Sequence, residues 1–406
     1  MAEGTVDVAV IGAGIVGLGI ALAAARSGRT VAVVDPAPAT GATYAAAGML
    51  APVSELRYQE ENLLELTLAS AALYPAFVDS LGSDRARSGY RSTRTITVGA
   101  DAADRQSLAD LRQHQVAQGL TVEPLSVSAA RSMEPMLSPQ LSSAFTIEQD
   151  HQVDPRLLAS QLESAIAATA AQRNWTHNFS IRQNATGLMH ENPADAASRV
   201  TGVLLADGSE VVAGEVIVAN GLAASQLNGL PGWLKLSLRP VYGDILRLRV
   251  PEHLRPLLTA TIRGVVRGVS VYLVPRSDHT VVIGATQRED GSAAVSAGGV
   301  YQLLRDAQVL VPAVAELELI ETTARARPGT PDNSPLLGRV SRGTGLPDDD
   351  IPGLIIATGF FRHGVLLTPI AAQLCLQLLD GTADPRWHRF RPDRFSVFPF
   401  KEALHG

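Results

Sequence analysis

The residues that could do chemistry stand at the start of the chain. Gly12-Ala13-Gly14-Ile15-Val16-Gly17 follows an apolar, β-branched run from Thr5 to Ile11, and Asp35 comes 18 residues after Gly17. Gly12 permits a tight turn, Gly14 lets backbone approach a pyrophosphate, and Gly17 lets the following helix pack against the strand. That helix, expected over Ile15 to Ser27 with Gly28 ending it, would aim its first N–H groups at the phosphates. Thr30 to Val34 reads as the second strand, and the Asp35 carboxylate at its end would accept from a ribose hydroxyl. Strand, glycines, helix, strand and acid in this order predict a dinucleotide site. They do not separate NAD from FAD, although an acid at position 35 argues against NADP, whose extra phosphate wants an arginine.

Other chemistry is scarce. The chain has 406 residues, 46% hydrophobic and 18% charged, a soluble globular composition long enough for two or three domains. Its 34 basic residues include only two lysines, Lys235 and Lys401, and its one cysteine is Cys375. One cysteine excludes internal disulfides, Cys-x-x-Cys pairs, thiolate zinc sites and iron–sulfur clusters. Two lysines outside any Gly-rich loop leave little room for Schiff-base or phosphate-loop chemistry. The nine histidines show no metal-ligand spacing, so no metal is expected. Net charge is −6 and the arginines are scattered, which argues against nucleic acid. The run Asp348-Asp349-Asp350 reads as a solvated loop. Hard chemistry must therefore come from polar side chains, arginines or a bound cofactor.

The elements that would position these groups follow from pattern. Val8 to Ala25 is uncharged and nearly long enough to span a bilayer, but four glycines interrupt it and its leader is acidic. It reads as a buried strand turning into a helix; with no targeting segment or membrane span visible, the expected compartment is the cytoplasm. Residues 41–52 are small, as suits backbone lying close to a flat ring or a phosphate. Asp154-Pro155 is a helix start, with the helix running to about Gln172. Strands are expected at Val200–Leu205, Glu210–Val212 and Glu215–Ala219, the first two joined by Ala206-Asp207-Gly208. Leu354 to Ala357 reads as a strand, Thr358 to Gly364 as a sharp turn, and Pro369 to Leu379 as a helix enclosing Cys375 as a packed core thiol. Tyr90–Val98, Ser143–Glu148, Leu238–Arg249 and Thr259–Thr286 are rich in β signals, the last holding a hairpin of Ser270–Arg276 and Val281–Ala285. These suggest a second, largely antiparallel domain interleaved with the nucleotide fold.

Several motifs recur in one order: the glycine fingerprint, Ala45-Ala46-Ala47-Gly48-Met49-Leu50, Tyr272-Leu273-Val274-Pro275-Arg276, Val282-Ile283-Gly284-Ala285-Thr286, Arg327-Pro328-Gly329-Thr330-Pro331-Asp332 and Ala357 to Gly364. In this, from about residue 5 to about 395, the chain resembles the D-amino-acid-oxidase-type flavoproteins, most closely the glycine oxidases of thiamine biosynthesis. The resemblance implies an α/β fold: a Rossmann-like FAD-binding domain (1–83, 146–220 and 322–395) interleaved with an antiparallel substrate domain (84–145 and 221–321), then a tail (396–406). It implies that Arg327 pairs with a substrate carboxylate, that Tyr272 gives the substrate a hydroxyl, and that Arg362 sits at flavin and substrate. These three would be the catalytic residues, with Met49 narrowing the substrate site. FAD contacts are expected from Gly12, Gly14, Ile15, Val16, Gly17, Asp35, Pro36, Ala42, Thr43, Ala47, Gly48 and Met49, and from Phe360, Phe361, Arg362, His363, Gly364, Val365 and Leu366. Three positions depart from the family: Gln287, commonly apolar or acidic; Phe360, commonly histidine; and His363, commonly asparagine. Related sarcosine oxidases tether flavin through a cysteine near the late turn. Cys375 lies inside the following helix, so non-covalent FAD is expected.

The activity implied is oxidation of glycine, or of sarcosine or a small D-amino acid, by hydride transfer to flavin. Oxygen would give hydrogen peroxide, and the imine would give glyoxylate and ammonia or enter thiazole synthesis. The family also suggests a homotetramer. Two other readings stay open: a dehydrogenase of the same fold passing electrons to a carrier, and a non-catalytic FAD-binding subunit.

Overall fold

In this computed structural model, residues 5–82, 85–343 and 349–397 are described. Lys401, Asp348 and most of the expected C-terminal tail lie outside them. The chain divides into two compact units. Met1–Tyr44, Ala159–Pro240 and Arg327–Gly406 form one; Ala45–Leu158 and Val241–Ala326 form the other.

In the first unit an eight-stranded sheet has a parallel centre. Thr5–Ile11 pairs in parallel with Val31–Val34 on one side and with Glu210–Val218 on the other. Asp350–Thr358 continues the parallel set, while Leu336–Ser341 and Val200–Leu205 add antiparallel pairs. Val8, Ala9, Val10 and Val31 are fully or almost fully buried, as parallel strands covered on both faces require. The helices Ile15–Arg26 and Thr368–Leu379 pack against one another. Two expected strands, Glu210–Val212 and Glu215–Ala219, are one continuous strand, Glu210–Val218. Gly214 carries the chain through, since a Cβ there would stand 3.1 Å from Asp7 O.

The second unit holds an eight-stranded, largely antiparallel sheet. Thr261–Val266, Val269–Pro275 and Thr280–Gly284 form a meander. Its turns place Arg267, Gly268 and His279 at positive φ. Thr95–Gly99 pairs in parallel with Thr261–Val266. The core of this unit includes Ile96, Leu246, Ile262, Leu273 and Ile283.

These compact units are bounded differently from the FAD-binding and substrate domains that the resemblance implies. The stretch beginning at Ala45 and running through the helix Glu61–Asp79 lies in the second unit, as does 146–158. Met49–Leu50 pairs with His151–Gln152, and the Asp150 carboxylate accepts from the N–H groups of Val53 and Ser54 at 3.0 and 2.9 Å. Val53, Leu56 and Leu64 share a core with Leu120, Val122 and Ile147. Residues 221–240 lie in the first unit, where Leu227 and Leu236 pack with Val216 and Ile356. Asp350 does not lie in a solvated loop: it opens a strand and pairs with Arg391. No helix among the described residues is long and apolar enough to cross a membrane, and no group of acidic, histidine or cysteine side chains among them could hold a metal ion.

Candidate active site

The Gly-rich turn has the backbone that its spacing predicts. Gly12 has φ +106°, and a Cβ there would fall 2.6 Å from Ala219 O. A Cβ on Gly17 would fall 2.0 Å from Gly12 O, so helix and strand approach closer than any side chain allows. Gly14 is extended and begins the helix with no side-chain cap. The nearest atom to a Cβ on Gly14 is Thr43 Oγ1 at 3.5 Å, so this face of the turn is open to a phosphate. Thr43 is buried, and its Oγ1 accepts from Ile15 N–H at 3.0 Å. Asp35 accepts from Ala13 N–H at 2.7 Å through one oxygen and from Ala37 N–H at 2.8 Å through the other. The carboxylate thus braces the turn and keeps lone pairs for a ribose hydroxyl. Pro36 is exposed and Ala42 half-buried. This geometry fits the adenosine and pyrophosphate of FAD.

The late turn lies beside it in the same unit. A Cβ on Gly364 would stand 3.9 Å from Val16 Cγ2. Gly359 is at φ +71°, where a Cβ would strike Thr330 Cγ2 at 2.7 Å. Phe361 is left-handed at φ +47°, and its N–H donates to Pro328 O at 3.0 Å. That bond joins the Arg-Pro-Gly-Thr motif to the Phe-Phe-Arg-His turn, so Arg327 and Arg362 are held by adjoining backbone. Both are half-buried. The Arg362 guanidinium lies 5.3 Å from the Phe361 ring centre. On the same ring at 5.9 Å is Arg239, which donates to Thr330 O and to Asn333 Oδ1. Phe360, His363, Val365 and Leu366 are buried, and Leu367 N–H donates to His363 O at 2.8 Å as the next helix begins.

In the second unit Met49, Tyr272 and Ala285 pack on one small core of Ala45, Ala47, Ile245, Val274 and Val282. The structure therefore brings the Ala-Ala-Ala-Gly-Met motif and the Tyr-Leu-Val-Pro-Arg strand together. Arg263 faces Tyr272 on the neighbouring strand, bonds Glu55, and comes 3.6 Å from Met49 Sδ. Burial pushes the Asp150 carboxyl up to about 6, opposed by its bonds to the 53–54 backbone. Gln287 is exposed, while its neighbour Arg288 pairs with buried Asp244.

Sequence reasoning gave no role to two arginines, one in each unit. Arg239 holds Thr330, Asn333 and the Phe361 ring; no pattern marks it. Arg276 donates to Ala47 O and Val153 O from a buried position. Its signal was available: an arginine ending a strand of apolar residues must find buried acceptors. Cys375 is fully buried, and burial pushes its thiol up to about 12, as expected of a packed and unreactive side chain.

The model of the FAD dependent oxidoreductase family DAO matches residues 7–378. Glycine oxidase of Geobacillus kaustophilus (strain HTA426) is 32% identical over 98% of this chain and 97% of its own length. The crystal structure of glycine oxidase from Geobacillus kaustophilus superposes with a TM-score of 0.80 at 29% identity, covering 96% of this chain and 99% of that one. Iminodiacetate oxidase from Chelativorans sp. BNC1 superposes with a TM-score of 0.78 at 27% identity, over 95% and 98% of the two chains. With its glycine cradle, its late turn and a match along most of its length, the chain belongs to the FAD dependent oxidoreductase family.

Proposed function

We propose that this protein is an FAD-dependent amine oxidase that deaminates glycine, with sarcosine and small D-amino acids as further substrates. The observation that carries the reading is Arg327. It sits in the Arg-Pro-Gly-Thr motif at a strand end whose Pro328 carbonyl is bonded to the late turn. A planar guanidinium takes a carboxylate through two parallel bonds and fixes its direction as well as its charge. Tyr272 offers a hydroxyl to the same class of substrate, Arg362 adds positive charge at the late turn, and Met49 bounds the space available to a side chain. These groups bind, orient and exclude water; none is a general base, so the amine must arrive neutral. When bound, FAD would supply the redox chemistry of the site, a two-electron acceptor for the α C–H bond that O2 can reoxidise with formation of H2O2. The imine left behind takes up water and yields glyoxylate and ammonia. The similarity to glycine oxidases also supports a homo-oligomer, a tetramer by family resemblance, a cytoplasmic setting and a supply of imine to thiazole synthesis.

The test is a panel of glycine, sarcosine, D-alanine and D-proline, with peroxide and oxygen consumption followed in FAD-loaded protein. Peroxide in step with glycine consumed is expected. Dye reduction without oxygen uptake would make the protein a dehydrogenase, and neither signal would leave an FAD-binding subunit.

A further inference from the structure

Arg276 ends the strand Val269–Pro275, and its side chain is only 4% exposed. A buried guanidinium is costly unless its donors are met. One terminal nitrogen donates to Ala47 O. The other donates to Val153 O at 2.8 Å and to Gln152 Oε1 at 3.3 Å. The Asp154 carboxylate is 3.6 Å from Nε, while its Oδ1 caps the next helix through Arg156 N–H at 2.9 Å. Burial pulls the guanidinium down to about 10, against the attraction of Asp154, so it stays charged at neutral pH.

The acceptors are informative. Ala47 and Val153 lie on the two arms of the short ribbon in which Met49 faces Gln152. Between them Gly48 is at φ +71°, and a Cβ there would meet Val153 O at 2.0 Å. Val153 N–H donates to Gly48 O at 2.8 Å. The carbonyl that keeps position 48 a glycine is therefore one that Arg276 holds. A lysine could satisfy one of these carbonyls; the fork of an arginine spans both.

We propose that Arg276 is a positioning residue that fixes the Ala47-Gly48-Met49 turn in the shape that receives the flavin. This rests on the reading, given above, that the turn meets FAD. Arg276 acts through the ribbon, by way of the Ala47 and Val153 carbonyls that it holds.

The test uses FAD affinity and flavin spectra, which need no amine substrate. Arg276→Lys and Arg276→Met are stripped of FAD, checked for folding by circular dichroism, and titrated with FAD. The dissociation constant is expected to rise about tenfold or more, and the visible flavin bands to shift. Gly48→Ala should give the same lesion, and Arg276→Lys with Gly48→Ala should bind FAD no worse than the weaker single variant. Millimolar N-ethylguanidinium should restore part of the affinity of Arg276→Ala. Wild-type affinity and spectrum in Arg276→Lys, or multiplying defects in the double variant, would overturn the proposal. If neither Arg276 variant folds, Gly48→Ala decides: unaltered FAD affinity there defeats it. A wild type that binds FAD but ignores glycine, with the Arg276→Lys defect intact, would sink the glycine reading and support this one.

Discussion

The Tyr272 hydroxyl lies 2.3 Å from where a Cβ on Gly284 would stand. The two residues face each other on neighbouring antiparallel strands. The ring of Tyr272 thus runs across the space that glycine leaves, and Ile245 Cδ1 at 2.6 Å closes the other side. The position of the phenol is set by the missing side chain of its partner. Gly284→Ala should therefore displace Tyr272 at a packing cost of about 1–3 kcal/mol. In steady-state kinetics it should behave like a loss of the Tyr272 hydroxyl. An unchanged KM for glycine in Gly284→Ala, with Tyr272→Phe impaired, would refute the coupling.

On the carboxylate-binding role proposed for Arg327, Arg327→Ala should raise the KM for carboxylated amines by about 100-fold or more, the loss expected for a pair of charge-assisted bonds. Arg327→Lys should restore only part of it, since an ammonium cannot present the planar fork. Comparing glycine with methylamine isolates the effect: the uncarboxylated amine should not respond to the substitution.

The glycine turn and the hairpin were legible in the sequence because their signals are local. Three glycines at fixed spacing encode a backbone path, and an apolar run broken by Ser277-Asp278-His279-Thr280 encodes a turn. Helix Ala102–Ala117 carries a local signal of the same kind, a capping box of Asp101 and Asp104. Helices Glu61–Asp79 and Ala297–Leu310 were harder. The first contains Pro75 and has no side-chain cap. The second has two glycines, Gly298 and Gly299, in its first turn; a Cβ on Gly299 would fall 2.3 Å from Asp244 Oδ2, so tertiary packing chose a poor helix former. Arg276 and Ala47 are 229 positions apart, and no spacing rule reaches that far. The bounds of the compact units were not legible for the same reason: Asp150 and the 53–54 backbone meet only in space.

Cys375 should be inert to a thiol reagent in the native protein and react once on unfolding, since its thiol is fully buried and its ionisation strongly disfavoured. FAD should accordingly leave with the solvent on acid precipitation, and Cys375→Ser should still yield yellow protein. Flavin retained on the denatured chain would overturn the non-covalent assignment.

Glu321 gives the stability an acid limb. Its carboxylate bonds Arg156 at 2.6 Å and Thr323 at 2.6 Å, with Arg247 at 4.0 Å. The bond to Arg156 leads the effects that hold its carboxyl down at about 2, against an ordinary value of 4.5. A carboxyl depressed in the folded state stabilises when ionised. Its contribution is complete above about pH 4.5, where the unfolded chain is also ionised, and is lost as pH falls through about 2. The side chain is 26% exposed, so solvent reduces the effect to on the order of 2 kcal/mol at neutral pH. Glu321→Gln should lower the melting temperature at pH 7 and flatten its fall between about pH 4.5 and 2, the two proteins converging at the acid end. Parallel melting curves of the two proteins across that window would show that the Glu321–Arg156 pair carries none of the acid sensitivity.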